Sequence, residues 1–275
     1  MNFKKVEERK SQLVRLENHE LDLPVDTYFY IDDDLEDILL DRSMVGWLLQ
    51  LKMFRVTRSI FSSIREIILD RYPPETRVEQ VNLAGSDFYQ AQSAHAKEFN
   101  SCLRRNYVGE HREPIKGKYD ANGKQQFRVV VSYVRIEAFG KLLILCETLA
   151  TGRSAIESFN HTLPVMLENG LETVLIITVA GSIDGAQNLY RYLKRYKLEV
   201  VFMVGMGLFP LGADGTALMW RGKNGEEPIT LPEYVERGKK IFLPGECCIG
   251  DWGRRYTDPK GYLEEWKKET TMLKK

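Results

Sequence analysis

Cysteine is scarce in this chain, histidine equally so, and long apolar runs are missing. Four cysteines (Cys102, Cys146, Cys247, Cys248) among 275 residues are too few and too scattered for a disulfide framework. The adjacent pair Cys247-Cys248 lacks the spacing of zinc ligands, so reduced thiols are expected. His19, His95, His111 and His161 form no cluster in sequence, and satisfied or exposed histidines are expected at all four. No apolar stretch approaches the roughly 20 residues that span a bilayer. The first nine residues lack the apolar centre of a signal peptide. These absences point to a cytoplasmic protein with no membrane partner. Net charge is missing too, because 39 Lys+Arg balance 39 Asp+Glu. Nothing in the charge balance suggests bulk attraction to nucleic acid or to an anionic membrane, and only local patches remain; nucleic acid is not expected as a partner unless the chain works within a multi-component system.

What is present is ordinary globular composition, 43% hydrophobic and 28% charged. There is no internal repeat and no low-complexity segment. Residues 1–36 read as an N-terminal arm or an exposed helix, 37–260 as the main domain, and 261–275 as a C-terminal helix. The acidic run Asp32-Asp33-Asp34-Leu35-Glu36-Asp37 has carboxylates clustered as a metal site would, and reads better as helix-start acids favoured by the dipole. Apolar residues from Ile38 to Ile68 recur at helical spacing, and Pro73-Pro74 stops them. A short strand is expected from Val78 to Ala84. The segment 91–103 reads as irregular chain or helix. A hairpin or extended β-arm is expected around 127–134, after the turn signal Asp120-Ala121-Asn122-Gly123.

The most informative stretch is Leu142-Leu143-Ile144-Leu145-Cys146-Glu147-Thr148-Leu149-Ala150-Thr151-Gly152-Arg153-Ser154-Ala155-Ile156. An apolar strand ends at a carboxylate, turns through Thr-Gly and becomes a helix. Such a turn aims backbone N–H groups at one spot, where the helix dipole favours an anion. The blander reading is a tight turn with Ser154 as an ordinary N-cap. Downstream, 173–180 and 198–204 are apolar strand patterns separated by helical ones, with Asp184 as the expected cap of the second helix. The pattern is βαβαβ, so a ligand is expected beyond the strand C-termini. The glycine- and proline-rich segment 205–240 reads as a long loop or a small hood.

Three landmarks, in order, resemble the phosphoribosyltransferase family and its uracil-specific members. Leu149-Ala150-Thr151-Gly152-Arg153-Ser154 is similar to the family's loop for 5-phosphoribosyl pyrophosphate (PRPP). Leu83-Ala84-Gly85-Ser86-Asp87-Phe88-Tyr89-Gln90 is similar to its pyrophosphate loop. Pro244-Gly245, followed by Gly250-Asp251-Trp252-Gly253-Arg254-Arg255, resembles its uracil-binding segment. The resemblance covers about 38–258 and implies an α/β fold of the type I phosphoribosyltransferase kind. That is a parallel sheet flanked by helices, with a β-arm and a small hood.

The activity implied is transfer of phosphoribose from PRPP to a uracil-like base, with release of pyrophosphate, as in pyrimidine salvage. The resemblance implies catalytic roles for Glu147, Arg104 and Arg112. It implies PRPP or phosphate contacts at Ala150, Thr151, Gly152, Arg153, Ser154, Ala84 and Gly85. Base contacts are implied at Ile249, Gly250, Asp251, Trp252 and Gly253. Mg²⁺ is implied as the companion of PRPP, with no resident metal site, and a homodimer is implied with the β-arm as its contact. The chain departs from the family pattern at Leu83, where an arginine is usual, at Cys146, where the loop's aspartate is usual, and at Arg254, where an aspartate is usual. Those departures motivate an alternative: a catalytically degenerate PRPP- or nucleotide-binding regulator, or the effector of a multi-component system such as retron-type phage defence. Asp251 reads equally as a turn cap, Trp252 as a core or hood residue, and Arg254 and Arg255 as surface charges.

Overall fold

A sheet apolar on both faces organises the chain. The computed structural model describes residues 2–8, 11–17, 20–83, 86–119, 125–212, 215–222, 224–249 and 252–273. The N-terminal third contains β1 (Asn2–Glu8), β2 (Gln12–Glu17), β3 (Thr27–Ile31), α1 (Asp33–Leu40), α2 (Gly46–Ser63), β4 (Arg77–Asn82) and α3 (Ala91–Phe99). The middle third contains β5 (Arg104–Tyr119), β6 (Gln125–Arg135), β7 (Leu142–Cys146), α4 (Arg153–Glu168), β8 (Thr173–Thr178), β9 (Gly181–Ser182) and α5 (Ile183–Leu193). The remainder is β10 (Glu199–Gly205), β11 (Gly207–Phe209), β12 (Leu218–Met219), β13 (Ile229–Thr230), α6 (Pro232–Ile241), β14 (Cys247–Ile249), α7 (Trp252–Thr257) and α8 (Pro259–Leu273).

The main sheet runs β1-β2-β3-β10-β8-β7-β4-β5-β6. Its six inner strands, from β3 to β5, are mutually parallel, and antiparallel strands close both edges. Strand periodicity sorts the core into two layers. Leu142, Ile144, Leu175, Ile177, Val201 and Met203 face α1, α2 and α3. Leu143, Leu145, Val174, Ile176, Val200 and Phe202 face α4 and α5. This is the expected α/β architecture with its expected βαβαβ core. The crossover from β4 leads to β5 on one side, whereas that from β7 leads to β8 on the other. The order thus reverses between β4 and β7, and their C-terminal ends open the crevice where open α/β sheets bind ligands.

Several expectations change. Residues 2–8 and 12–17 are not helical. They pair as the antiparallel strands β1 and β2, and β3 lies within the parallel sheet, so these three strands are part of the main sheet. Asp32 does cap α1, accepting from the Leu35 amide at 2.7 Å. Ser182, not Asp184, caps α5 by accepting from Gly185 N. The segment 91–103 carries α3, and α8 begins at Pro259. The arm exists as the β5–β6 pair, whose connecting turn lies outside the described residues. His95 is a satisfied core histidine: its Nδ1 donates to Ser101 O and its Nε2 accepts from Arg77. Burial pushes it down to about 4. His111 and His161 are exposed, and His19 lies outside the described residues. None of the four cysteines is in a disulfide.

The hood is ordered around Trp220, which is fully buried between Phe209 and Phe242. A Cβ at Gly238 would collide with the Trp220 ring, so α6 packs on the indole only through glycine. The segment therefore holds β11, β12, β13 and α6, not a bare loop. Two buried arginines tie its C-terminal part to the domain. Arg255, 1% exposed, donates to the carbonyls of Ile38, Asp41 and Met44 at 2.8–3.1 Å. Arg42 lies 3.6 Å from Glu246 and over the rings of Tyr262 and Trp266. The sequence reading left Arg255 open between surface charge and ligand; it is neither. Arg255→Ala leaves three buried carbonyls without their donor, a loss of about 3 kcal/mol or more. Thermal unfolding followed by circular dichroism is expected to show a Tm lower by about 6 °C or more; an unchanged Tm would show that α7 is held otherwise.

Candidate functional site: the turn after β7

The turn 147–154 leaves β7 at the switch point and enters α4. Its carbonyls face inward. Leu149 O accepts from Ser182 N at 2.7 Å, Ala150 O from Ser182 Oγ, and Thr151 O from Asn188 at 3.3 Å. Contact with α5 is backbone to backbone. A Cβ on Gly152 would lie 2.7 Å from Gly185 O, and one on Gly185 would lie 2.4 Å from Ala150 O. Gly152 is left-handed at φ +73°, where an L side chain costs roughly 1–2 kcal/mol. Gly152, not Ser154, is the N-cap of α4, and it supplies no side-chain cap.

With the carbonyls engaged, the amides point outward. Among the described residues, those of Ala150, Thr151 and Gly152 donate to no acceptor. Those of Arg153 and Ser154 are the orphan first amides of α4. All of 147–154 lines one cavity of about 1040 Å³. The turn therefore presents a row of free donors and a helix N-terminus to an open chamber, which is what a phosphate group requires. The Arg112 and Arg153 side chains line the same cavity, and among the described residues neither has an acidic partner.

Glu147 is 9% exposed at the end of β7. Asn82, on the neighbouring β4, donates to its Oε2 at 2.6 Å. Burial pushes its carboxyl up to about 8, and the negative charge of Glu110 adds to the shift. Glu110, projecting from β5, is raised by burial to about 7. Tyr89 braces the turn: its hydroxyl lies 3.1 Å from Thr148 Oγ1 and accepts from Val179 N. The far wall is aromatic and charged, built from Phe88 after β4, Arg254 and Tyr256 of α7, and Tyr262, Glu265 and Trp266 of α8.

Among the residues expected here, Glu147, Ala150, Thr151, Gly152, Arg153, Ser154 and Arg112 come together. Arg104 does not. It begins β5, paired with Val78 at the opposite end of the sheet, and it donates to Glu75 O and Phe139 O. A parallel strand carries only its C-terminal half to the site, so the β5 arginine that reaches it is Arg112. Ala84, Gly85, Gly250 and Asp251 lie outside the described residues. Ile249 belongs to β14, paired with Leu218, and Trp252 and Gly253 open α7. Their neighbours Cys247 and Arg254 line the cavity. Arg254 is engaged by Glu265 and Asp258.

Sequence reasoning missed Glu110, Asn82 and the α8 wall. Asn82 was legible as a strand-end polar residue; Glu110 and α8 reach the site only through tertiary packing. Among the described residues no three His, Cys, Asp or Glu side chains form a metal-binding group, and no helix is long and apolar enough to cross a membrane.

No protein-family model matches the chain, and no curated protein matches it. Solved structures do match parts of it. The AQ2163 protein from Aquifex aeolicus is 13% identical, at TM-score 0.46, over 66% of this chain and 90% of its own. The adenine phosphoribosyltransferase of Trypanosoma brucei, solved with AMP, pyrophosphate and ribose-5-phosphate, is 15% identical, at TM-score 0.38, over 66% and 84%. A hypoxanthine phosphoribosyltransferase from Staphylococcus aureus is 12% identical, at TM-score 0.33, over 60% and 78%.

Two predictions follow from the site's geometry. Gly152→Ala adds a left-handed alanine and a collision with Gly185 O. Titration calorimetry should show binding of inorganic phosphate weakened by about tenfold or more, equivalent to about 1.4 kcal/mol; unaltered binding would mean the turn is not the seat. The second concerns pH. Because the folded protein raises Glu147 above 4.5, toward about 8, its native state holds a proton that the unfolded chain releases. Stability associated with this group is fully present below pH 4.5 and lost as pH rises through 8. Glu147→Gln keeps an acceptor for Asn82 and removes the titration. Its Tm should match the parent near pH 4.5 and exceed it by about 4 °C or more at pH 8.5. A Tm difference that does not grow with pH would count against a buried, proton-holding Glu147.

Proposed function

We propose that the chain binds PRPP and transfers its phosphoribosyl group to a nucleobase. The observation that carries this reading is the row of unengaged amides from Ala150 to Ser154, opening on the same cavity as the buried Glu147. In this reading those amides and the Thr151 and Ser154 hydroxyls hold the 5′-phosphate. Glu147, fixed by Asn82, accepts from the ribose hydroxyls. Arg112 and Arg153 face the pyrophosphate. The base nitrogen forms a bond to the anomeric carbon as the carbon–oxygen bond to pyrophosphate breaks. The electron pair leaves with the pyrophosphate oxygen, and the base's N–H proton passes to solvent.

The protein's part is to align the reactants and to stabilise charge on the leaving group. Magnesium belongs to this reading as the counter-ion that PRPP brings. The aromatic wall of Phe88, Tyr256, Tyr262 and Trp266 supports a planar acceptor, and a uracil-like ring is the one we propose. A homodimer through the arm is part of the same proposal; exposed Phe127 and Tyr133 on β6 support it.

Incubation with PRPP, Mg²⁺ and a panel of bases should yield a nucleotide and pyrophosphate, with uracil or a close analogue the best acceptor. Ser154→Asp should abolish turnover, because it places a carboxylate among the phosphate's donors; full activity in that variant would move the site elsewhere. Binding of PRPP without turnover of any base would replace the transferase with a PRPP-binding regulator. The observation favouring that outcome is Leu83, an exposed apolar residue on the cavity wall where a pyrophosphate-binding arginine is expected.

A further inference from the structure

Glu110 is the least explained group in the cavity. Both its carboxyl oxygens are inaccessible to solvent and have no hydrogen-bond partner, although the residue lines the chamber. A buried carboxyl without a partner costs free energy in the unliganded protein, so its unmet acceptors point to a group that arrives with a ligand.

Its position is built. The ladder between β5 and β6 slips at Gly109/Glu110: Gly109 faces Tyr133, whereas Glu110 faces Val131, and Ser132 is the extra residue. A bulge of this kind re-aims the side chain beside it. Gly109 makes the approach possible, since a Cβ there would lie 3.1 Å from Tyr133 Cβ. Asn82 pairs with Val108, and Glu110 lies two residues further along β5. It therefore shares a sheet face with Asn82, whose amide donates to Glu147. One strand separates the strands of Glu110 and Glu147, a span of about 10 Å that two glutamate side chains and one small ring can fill.

Cys146 cannot share this work. It precedes Glu147 but points to the opposite layer, buried with Ile144 and Ile177. The turn thus brings one carboxyl to the chamber, and the arm brings another. Both carboxyls face one chamber and accept hydrogen bonds, which the hydroxyls of a pentose can donate.

We propose that Glu110 is a second pentose-binding carboxylate, reaching from the arm to the sugar hydroxyls that Glu147 approaches from the turn. This rests on the proposed phosphate seat, and a single titration series separates the two. Inorganic phosphate probes the seat alone; ribose 5-phosphate probes the seat plus the sugar. The parent should bind ribose 5-phosphate about tenfold or more tightly than inorganic phosphate. Glu110→Gln and Glu110→Ala should bind ribose 5-phosphate about five- to fiftyfold more weakly, with alanine the worse.

Neither variant should weaken inorganic phosphate. Removing a negative charge beside an anion can only help it electrostatically, so a selective loss isolates the hydroxyl contacts. Unchanged ribose 5-phosphate affinity in Glu110→Gln, with phosphate binding intact, overturns the assignment and leaves the seat standing. Equal loss of both ligands in the two variants, with a lowered Tm, makes Glu110 structural and also overturns it. Failure of the parent to bind either anion removes the seat and this inference together.

Discussion

Everything at the site depends on the junction between the turn 147–154 and the start of α5. There two backbones meet without side chains between them, because Gly152 and Gly185 each leave room for a carbonyl oxygen of the other segment. The approach lets Ser182 and Asn188 take up the carbonyls of 149–151. Once those acceptors are engaged, the peptide planes are fixed and their N–H groups face the chamber. A row of free amide donors is thus produced by satisfying the opposite half of the same peptide groups. It is pre-organised, so binding need not order it.

Around that junction the protein concentrates groups that weaken its own stability. Glu147 and Glu110 are both buried and both raised, and the amides beside them have no acceptors. None of this helps the empty fold. The compensation lies elsewhere, in the two apolar layers on either side of β7, β8 and β10. Local strain at a site, held by apolar packing around it, is the usual division in a ligand-binding domain.

Charge is also used structurally. Arg255 and Arg42 sit inside the protein, each among partners that no surface residue could offer. Together they attach α7 and α8 to the α1–α2 region and so bring Tyr256, Tyr262, Glu265 and Trp266 over the cavity. The aromatic wall of the site is therefore a consequence of buried guanidinium contacts at its back. Arg254, their neighbour in sequence, stays exposed and pairs with Glu265 across α7 and α8.

The alternation of apolar runs with helical patterns, read along the chain, sufficed for the βαβαβ core and for the position of the turn at a strand's C-terminal end. Those features are local: they follow from period, from glycine at a left-handed position and from an acid ending a strand. Glu110, Arg104 and the first 36 residues were not legible in that way. Whether an arginine on β5 reaches the site depends on which end of a parallel strand carries it, so Arg112 arrives and Arg104 does not. Glu110 enters the chamber because the pairing of β4 with β5 sets it on the same sheet face as Asn82. The N-terminal segment becomes sheet because β3 finds β10, a pairing between residues far apart in the chain. Sequence alone determined the elements of the βαβαβ core and the residue types of the turn. Tertiary packing decided which distant side chains share its cavity, because strand register, bulges and buried charge contacts join residues that no local spacing relates.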